Sequence, residues 1–122
     1  MPDVPSRKLH GNAYILSAEK MAFFTDAYLG GEAAQYSTDF RMAPHCARSL
    51  ASLPPTTVVV ATDDPLADEG REYARMLRDS GVPARVVEYK TVHGFFTLPY
   101  VKESHAAFQE VLGALLEHSS KE

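Results

Sequence analysis

Two acidic residues, Asp63 and Asp64, close a β-branched run, and His93 closes the apolar run that comes after it. Asp64 stands before a proline ("DDPL") and His93 before a glycine ("VHGFF"). An imidazole with an ordinary pKa of about 6.5 takes up and returns a proton near neutral pH. A carboxylate that accepts its Nδ1 proton fixes both tautomer and ring orientation. The two side chains are therefore candidates for the acid and the base of a nucleophilic triad. Each also has a plainer reading. Asp64 suits a helix N-cap, which contributes about 1 kcal/mol, and a loop histidine is commonly structural or simply exposed. The two roles of the aspartate are compatible, because a capping turn holds a carboxylate rigidly.

Whether the pair can meet depends on the elements around it. "TTVVVAT" (Thr56–Thr62) is an unbroken β-branched run between prolines and aspartates, the pattern of a strand buried on both faces in a parallel sheet. A helix is expected over 65–80. Asp63 or Asp64 caps it, Pro65 takes the first helical position, and Asp68 and Glu69 favour its positive end. Leu66, Gly70, Tyr73, Ala74 and Leu77 form its apolar stripe, and Gly81 and Pro83 end it. "ARVVEYK" (84–90) makes a second strand. Strand, helix and strand in this order form a right-handed parallel βαβ unit. Both strands then exit at one sheet edge, the edge where open α/β sheets collect their ligands. Asp64 and His93 belong to those two exits.

The remaining elements are weaker. A helix over 18–29 has Ser17 as N-cap, Met21, Phe24 and Tyr28 (or Leu29) on one face, and Gly30–Gly31 as its stop. A final helix over 99–117 has Val101, His105, Phe108, Leu112 and Leu115 on one face. Residues 1–17 read as an irregular lead-in, and 30–55 as a long connection with a helical turn near 45–51. The organisation is one partial α/β domain whose acid- and histidine-bearing portion is 53–122. Two parallel strands leave both sheet edges unpaired, so the sheet is incomplete and calls for neighbours, either a missing N-terminal half or self-association through the open edges.

Composition narrows the class. The chain has 122 residues, 45% of them hydrophobic and 23% charged, which fits one ordinary globular domain. A net charge of −4, with Arg7–Lys8 as the one adjacent basic pair, argues against nucleic-acid binding. The single cysteine, Cys46, precludes an internal disulfide and goes with a cytoplasmic setting. The start "MPDVPSRKLHGN" lacks the apolar region of a signal peptide, and "VVVA" is too short to span a membrane.

The segment "LPPTTVVVATDDPLADEGREYARMLRDSGVPARVVEYKTVHGFF" resembles the C-terminal part of the hormone-sensitive-lipase-like esterases, within the α/β-hydrolases. Leu53–Pro55, Asp64–Leu66, Asp68–Gly70, Tyr73–Ala74, Leu77 and His93–Phe95 match that family's pattern in order. "MAFFTDAYLG" and Ala43–Pro44 resemble the helix and loop before it, so the likeness covers about 12–117. The resemblance implies a carboxylic-ester hydrolase acting on small acyl esters, with Asp64 as triad acid, His93 as general base, and no metal or organic cofactor. Asp63 falls where the family pattern needs no acid. Phe95 and Phe96 are expected to pack beneath the histidine loop or to line the pocket, core packing being the favoured reading. The chain departs from the family in lacking a G-x-S-x-G nucleophile elbow and an H-G-G-G-type oxyanion loop. Cys46, a lone cysteine in a loop, reads as a small packed side chain rather than a substitute nucleophile. Loss of a nucleophile costs on the order of a millionfold in kcat. The chain alone is thus expected to be nearly inactive, and a non-catalytic pseudoenzyme or oligomeric interaction module is the alternative.

Overall fold

The computed structural model describes residues 4–119. In chain order these form helices α1 (Pro5–Leu9) and α2 (Ala18–Leu29), strand β1 (Thr56–Asp63), helix α3 (Ala67–Asp79), strand β2 (Ala84–Val92) and helix α4 (Lys102–Ser119). Short 3₁₀ turns occupy Pro44–Cys46 and Phe95–Thr97. The strands pair in parallel as a two-stranded sheet, with Thr56 opposite Ala84 and Ala61 opposite Tyr89.

The alternation of β1 divides its side chains between two layers. Val58 and Val60 face α3, where Gly70 permits a close approach: a Cβ at Gly70 would lie 3.1 Å from Val60 Cγ2. Val59 and Ala61 face the other way, into a cluster with Phe95, Ala107, Tyr89 and Val101. A second cluster of Leu50, Leu77 and Val82 joins α3 to the connection before β1. Leu77 has no exposed surface. Truncation to alanine there leaves a cavity the neighbours fill only in part, so Leu77→Ala lowers the unfolding free energy by about 2–5 kcal/mol, read as a lower urea midpoint.

Several sequence expectations are corrected. The lead-in over 1–17 is not wholly irregular. Among its described residues Pro5–Leu9 is helical, starting at a proline preset for the first turn; residues 1–3 lie outside the described range. The helical turn expected near 45–51 is confined to Pro44–Cys46. Helix α3 begins at Ala67 rather than Pro65, with Leu66 at the N-cap. Asp64 caps nothing in the usual sense. Its carbonyl accepts from Ala67 N–H at 3.1 Å and its Oδ1 from Leu66 N–H at 2.8 Å, so a turn of its own precedes the helix.

Helix α4 begins at Lys102 rather than 99, and it turns a different face inward. Its buried residues are Ser104 and Ala107, whereas Phe108, Leu112 and Leu115 are exposed. Small side chains let the helix approach the sheet, and Ser104 Oγ also donates to Phe96 O at 2.9 Å. Of the larger stripe, Phe108 meets the partly exposed Phe96 ring, and Leu112 and Leu115 stand exposed. Helix α2 repeats the pattern: it has the expected Ser17 cap, which accepts from Lys20 N–H, yet none of its residues is buried, and Phe24 and Tyr28 lie exposed. Only Val60 and Ala61 of β1 are fully buried, so the expected burial of the whole run on both faces holds for its centre alone.

Charges tie α1, α3 and β2 together. Arg71 reaches Asp68 (2.7 Å) on one side and Glu88 (2.7 and 3.0 Å) on the other. The Ser6 backbone N–H, and then Arg71, hold the Asp68 carboxyl below its ordinary value of 3.8, and Arg71 does the same for Glu88, whose ordinary value is 4.5. A depressed carboxyl contributes stability that is complete above its unfolded-state pKa and disappears as pH falls through the lower folded-state value. The urea midpoint is therefore expected to hold down to about pH 4.5 and to drop below it.

Candidate active site

The pairing of the strands has an irregularity at the site. Up to Ala61–Tyr89 the register is constant, and then Asp63 pairs with Val92. Lys90 and Thr91 thus stand opposite Thr62 alone, which is a β-bulge in β2. Without it, Val92 would be level with Asp64. With it, His93 is. No sequence signal marked this bulge, and it brings the two candidate residues abreast.

His93 Nδ1 lies 2.8 Å from Asp64 Oδ2. A carboxylate only accepts, so Nδ1 carries a hydrogen, and in the neutral ring Nε2 is the nitrogen with the lone pair. Asp64 Oδ1 is engaged by Leu66 N–H at 2.8 Å. Both carboxylate oxygens are therefore held, and the side chain is 12% exposed against 38% for the imidazole. A shielded acid behind a more open ring suits an imidazole that must meet another reactant. Among the described residues, Nε2 makes no hydrogen bond.

Gly94 follows the histidine with φ of +73°, in the left-handed region that side chains enter at a cost. Gly94→Ala is expected to destabilise the chain by about 1–2 kcal/mol, measured by urea unfolding. Phe95 anchors the turn in the core, its ring 5.6 Å from that of Tyr89. Phe96 does not pack as expected. It is 42% exposed and lies 6.4 Å from the Phe108 ring on the outer side of α4.

His93 lines an open groove of about 1020 Å³ with Leu66 and residues of the first two helices and their connection, Arg7, Leu16, Met21 and Phe24 among them. Sequence reasoning missed these walls, because Leu16 lies in the supposed irregular lead-in and Met21 and Phe24 read as core. Asp63 is exposed beside the site, with a single long contact from Thr62 Oγ1 at 3.5 Å. Cys46 is a half-buried free thiol that does not line the groove. No group of three or more metal-ligating side chains occurs among the described residues, and none of their helices is long and apolar enough to cross a membrane.

A hydroxyl placed in the groove beside Nε2 could lose its proton to His93 while Asp64 balances the imidazolium. The pair lies at the carboxyl edge of a parallel βαβ unit, the edge at which open α/β sheets bind their ligands. The sequence profile of the alpha/beta hydrolase fold family matches residues 2–97, and the chain belongs to that family. It is 39% identical over 93 residues to the esterase LipI of Mycobacterium tuberculosis, covering 75% of this chain and 29% of that protein. It is 36% identical over 119 residues to the carboxylic ester hydrolase LipN of the same organism, covering 95% of this chain and 31% of that one. A solved fungal esterase structure from Rhizomucor miehei superposes with a TM-score of 0.85 at 34% identity, over 97% of this chain and 38% of the other. The chain thus spans about a third of the length of these relatives.

Proposed function

We propose that this chain provides the acid and base of a carboxylic-ester hydrolase, and that the attacking serine comes from polypeptide outside residues 1–122. The observation that carries this reading is the 2.8 Å contact between His93 Nδ1 and Asp64 Oδ2. It leaves Nε2 as the ring nitrogen available to act as base, on a residue that lines the groove. In the reaction the serine oxygen forms a bond to the ester carbonyl carbon while its proton passes to His93 Nε2. The tetrahedral intermediate collapses, the bond to the alcohol oxygen breaks, and His93 returns the proton to the departing alcohol. Water then attacks the acyl-serine with the same assistance and releases the acid. Asp64 stays ionised throughout and stabilises the imidazolium.

Further support comes from the names of the relatives, which are esterases and carboxylic ester hydrolases. The exposed apolar faces of α2 and α4 and the open edge of β1 favour a further polypeptide packing over this unit. A short-acyl p-nitrophenyl ester tests the reading. The 122-residue chain alone is expected to give no turnover above background. A chimaera, a full-length relative whose matching segment is replaced by residues 1–122, is expected to hydrolyse the ester. A chimaera that folds with an intact serine elbow and stays inactive would count against it.

A further inference from the structure

The geometry points to Ser6 as a positioning residue for the acid–imidazole pair, acting through a single peptide group. This inference rests on the proposed roles of Asp64 and His93. Ser6 is buried at 5% exposure in the short helix α1, far from Asp64 in sequence. Its Oγ donates to the carbonyl of Pro65 at 2.8 Å. That carbonyl and the Leu66 N–H are the two ends of one planar peptide unit. The N–H end donates to Asp64 Oδ1 at 2.8 Å, and Asp64 Oδ2 receives the proton on His93 Nδ1 at 2.8 Å. The donors run in one direction from the Ser6 hydroxyl through the peptide to Asp64 Oδ1, and His93 Nδ1 donates to the same carboxylate from the other side. The bond from Ser6 polarises that peptide group and so strengthens the Leu66 N–H bond that holds the carboxylate in place.

The placement of Ser6 is itself over-determined. Its Oγ also accepts from Asp68 N–H at 3.2 Å, and its backbone N–H donates to Asp68 Oδ2 at 2.8 Å. The neighbouring Arg7 grips both oxygens of Glu69 at 2.9 and 3.0 Å. Helix α1 is thereby fastened to the first turn of α3, directly behind the acid turn. The Pro65 side chain is fully buried. Without the Ser6 hydroxyl, its carbonyl loses that partner, and the peptide plane that orients Asp64 keeps a hydrogen bond only at its Leu66 N–H end. Ser6 touches neither groove nor reactant, so its effect on the base is entirely through Asp64.

The tautomer of His93 reports this directly, because the hydrogen bond at one ring nitrogen decides which nitrogen carries the proton. Imidazole 15N shifts are measured on the full 122-residue chain at a pH where the ring is neutral, with His10, His45 and His105 as references. Wild type is expected to show the proton on Nδ1. Ser6→Ala, and Ser6→Cys with nearly the same volume, are expected to lose that preference at His93 alone, with the amide spectrum of α3 and the sheet retained. Ser6→Thr, which keeps the hydroxyl, is expected to restore it. A wild-type ring protonated at Nε2 would refute the acid–imidazole pairing itself. A wild-type ring protonated at Nδ1 and unchanged in folded Ser6→Ala and Ser6→Cys would overturn the role of Ser6 and leave the pairing standing. Collapse of the whole amide spectrum in both variants would also overturn it, because Ser6 would then serve folding in general.

Discussion

His93→Ala in the chimaera is expected to reduce kcat by a factor on the order of a million, with KM changed little. The imidazole is asked to take the serine proton and to return it to the leaving alcohol. Among the described residues no other histidine lines the groove; His10, His45 and His105 lie elsewhere. The ring is partly exposed and contributes little packing, so stability should be nearly unaffected. A kcat loss below about tenfold, measured with the p-nitrophenyl ester, would mean that another group is the base.

Asp64→Asn is expected to cost about 10⁴ in kcat, as for triads where the same exchange sets the wrong tautomer. The arrangement here gives a specific reason. Both oxygens of Asp64 accept, one from Leu66 N–H and one from His93 Nδ1. An asparagine has one acceptor oxygen and one donor NH₂. If its oxygen satisfies the backbone, its NH₂ faces Nδ1 and drives the ring proton to Nε2, where it blocks proton uptake from the serine. If its oxygen faces the ring, two N–H groups meet at Leu66 and the turn is disrupted. The first outcome puts the ring in the wrong tautomer and the second displaces it, while the apolar walls of the groove remain.

The central βαβ unit was legible in the sequence because local and long-range signals agreed. "TTVVVAT" and "ARVVEYK" are strands by residue type and by their bounding prolines, and Gly81 and Pro83 separate the helix from the second strand. The juxtaposition of Asp64 and His93 followed from topology, since parallel strands exit at one edge. What topology could not supply was the bulge at Lys90–Thr91, a pairing property that leaves no mark in residue types. Helix α1 escaped notice because five residues with one apolar anchor carry no period; its order comes from Ser6 and Arg7 reaching acids some sixty positions away. The faces of α2 and α4 were misjudged for a different reason. Phe24, Phe108 and Leu115 have the spacing of core positions, yet they stand exposed, and the short side chains of Ser104 and Ala107 make the contact with the sheet. Periodicity identifies an apolar face but not the layer that covers it.

The claim that Asp64 and His93 act as one unit is tested most directly by a double-mutant cycle on kcat in the chimaera. Once the imidazole is gone, the carboxylate has nothing to orient, so residues that act together are grossly non-additive. The account predicts that Asp64→Asn/His93→Ala is no slower than His93→Ala alone, within about threefold. Losses that multiply, with the double variant slower than His93→Ala by the full factor of Asp64→Asn, would show that the two side chains work independently and would contradict the account.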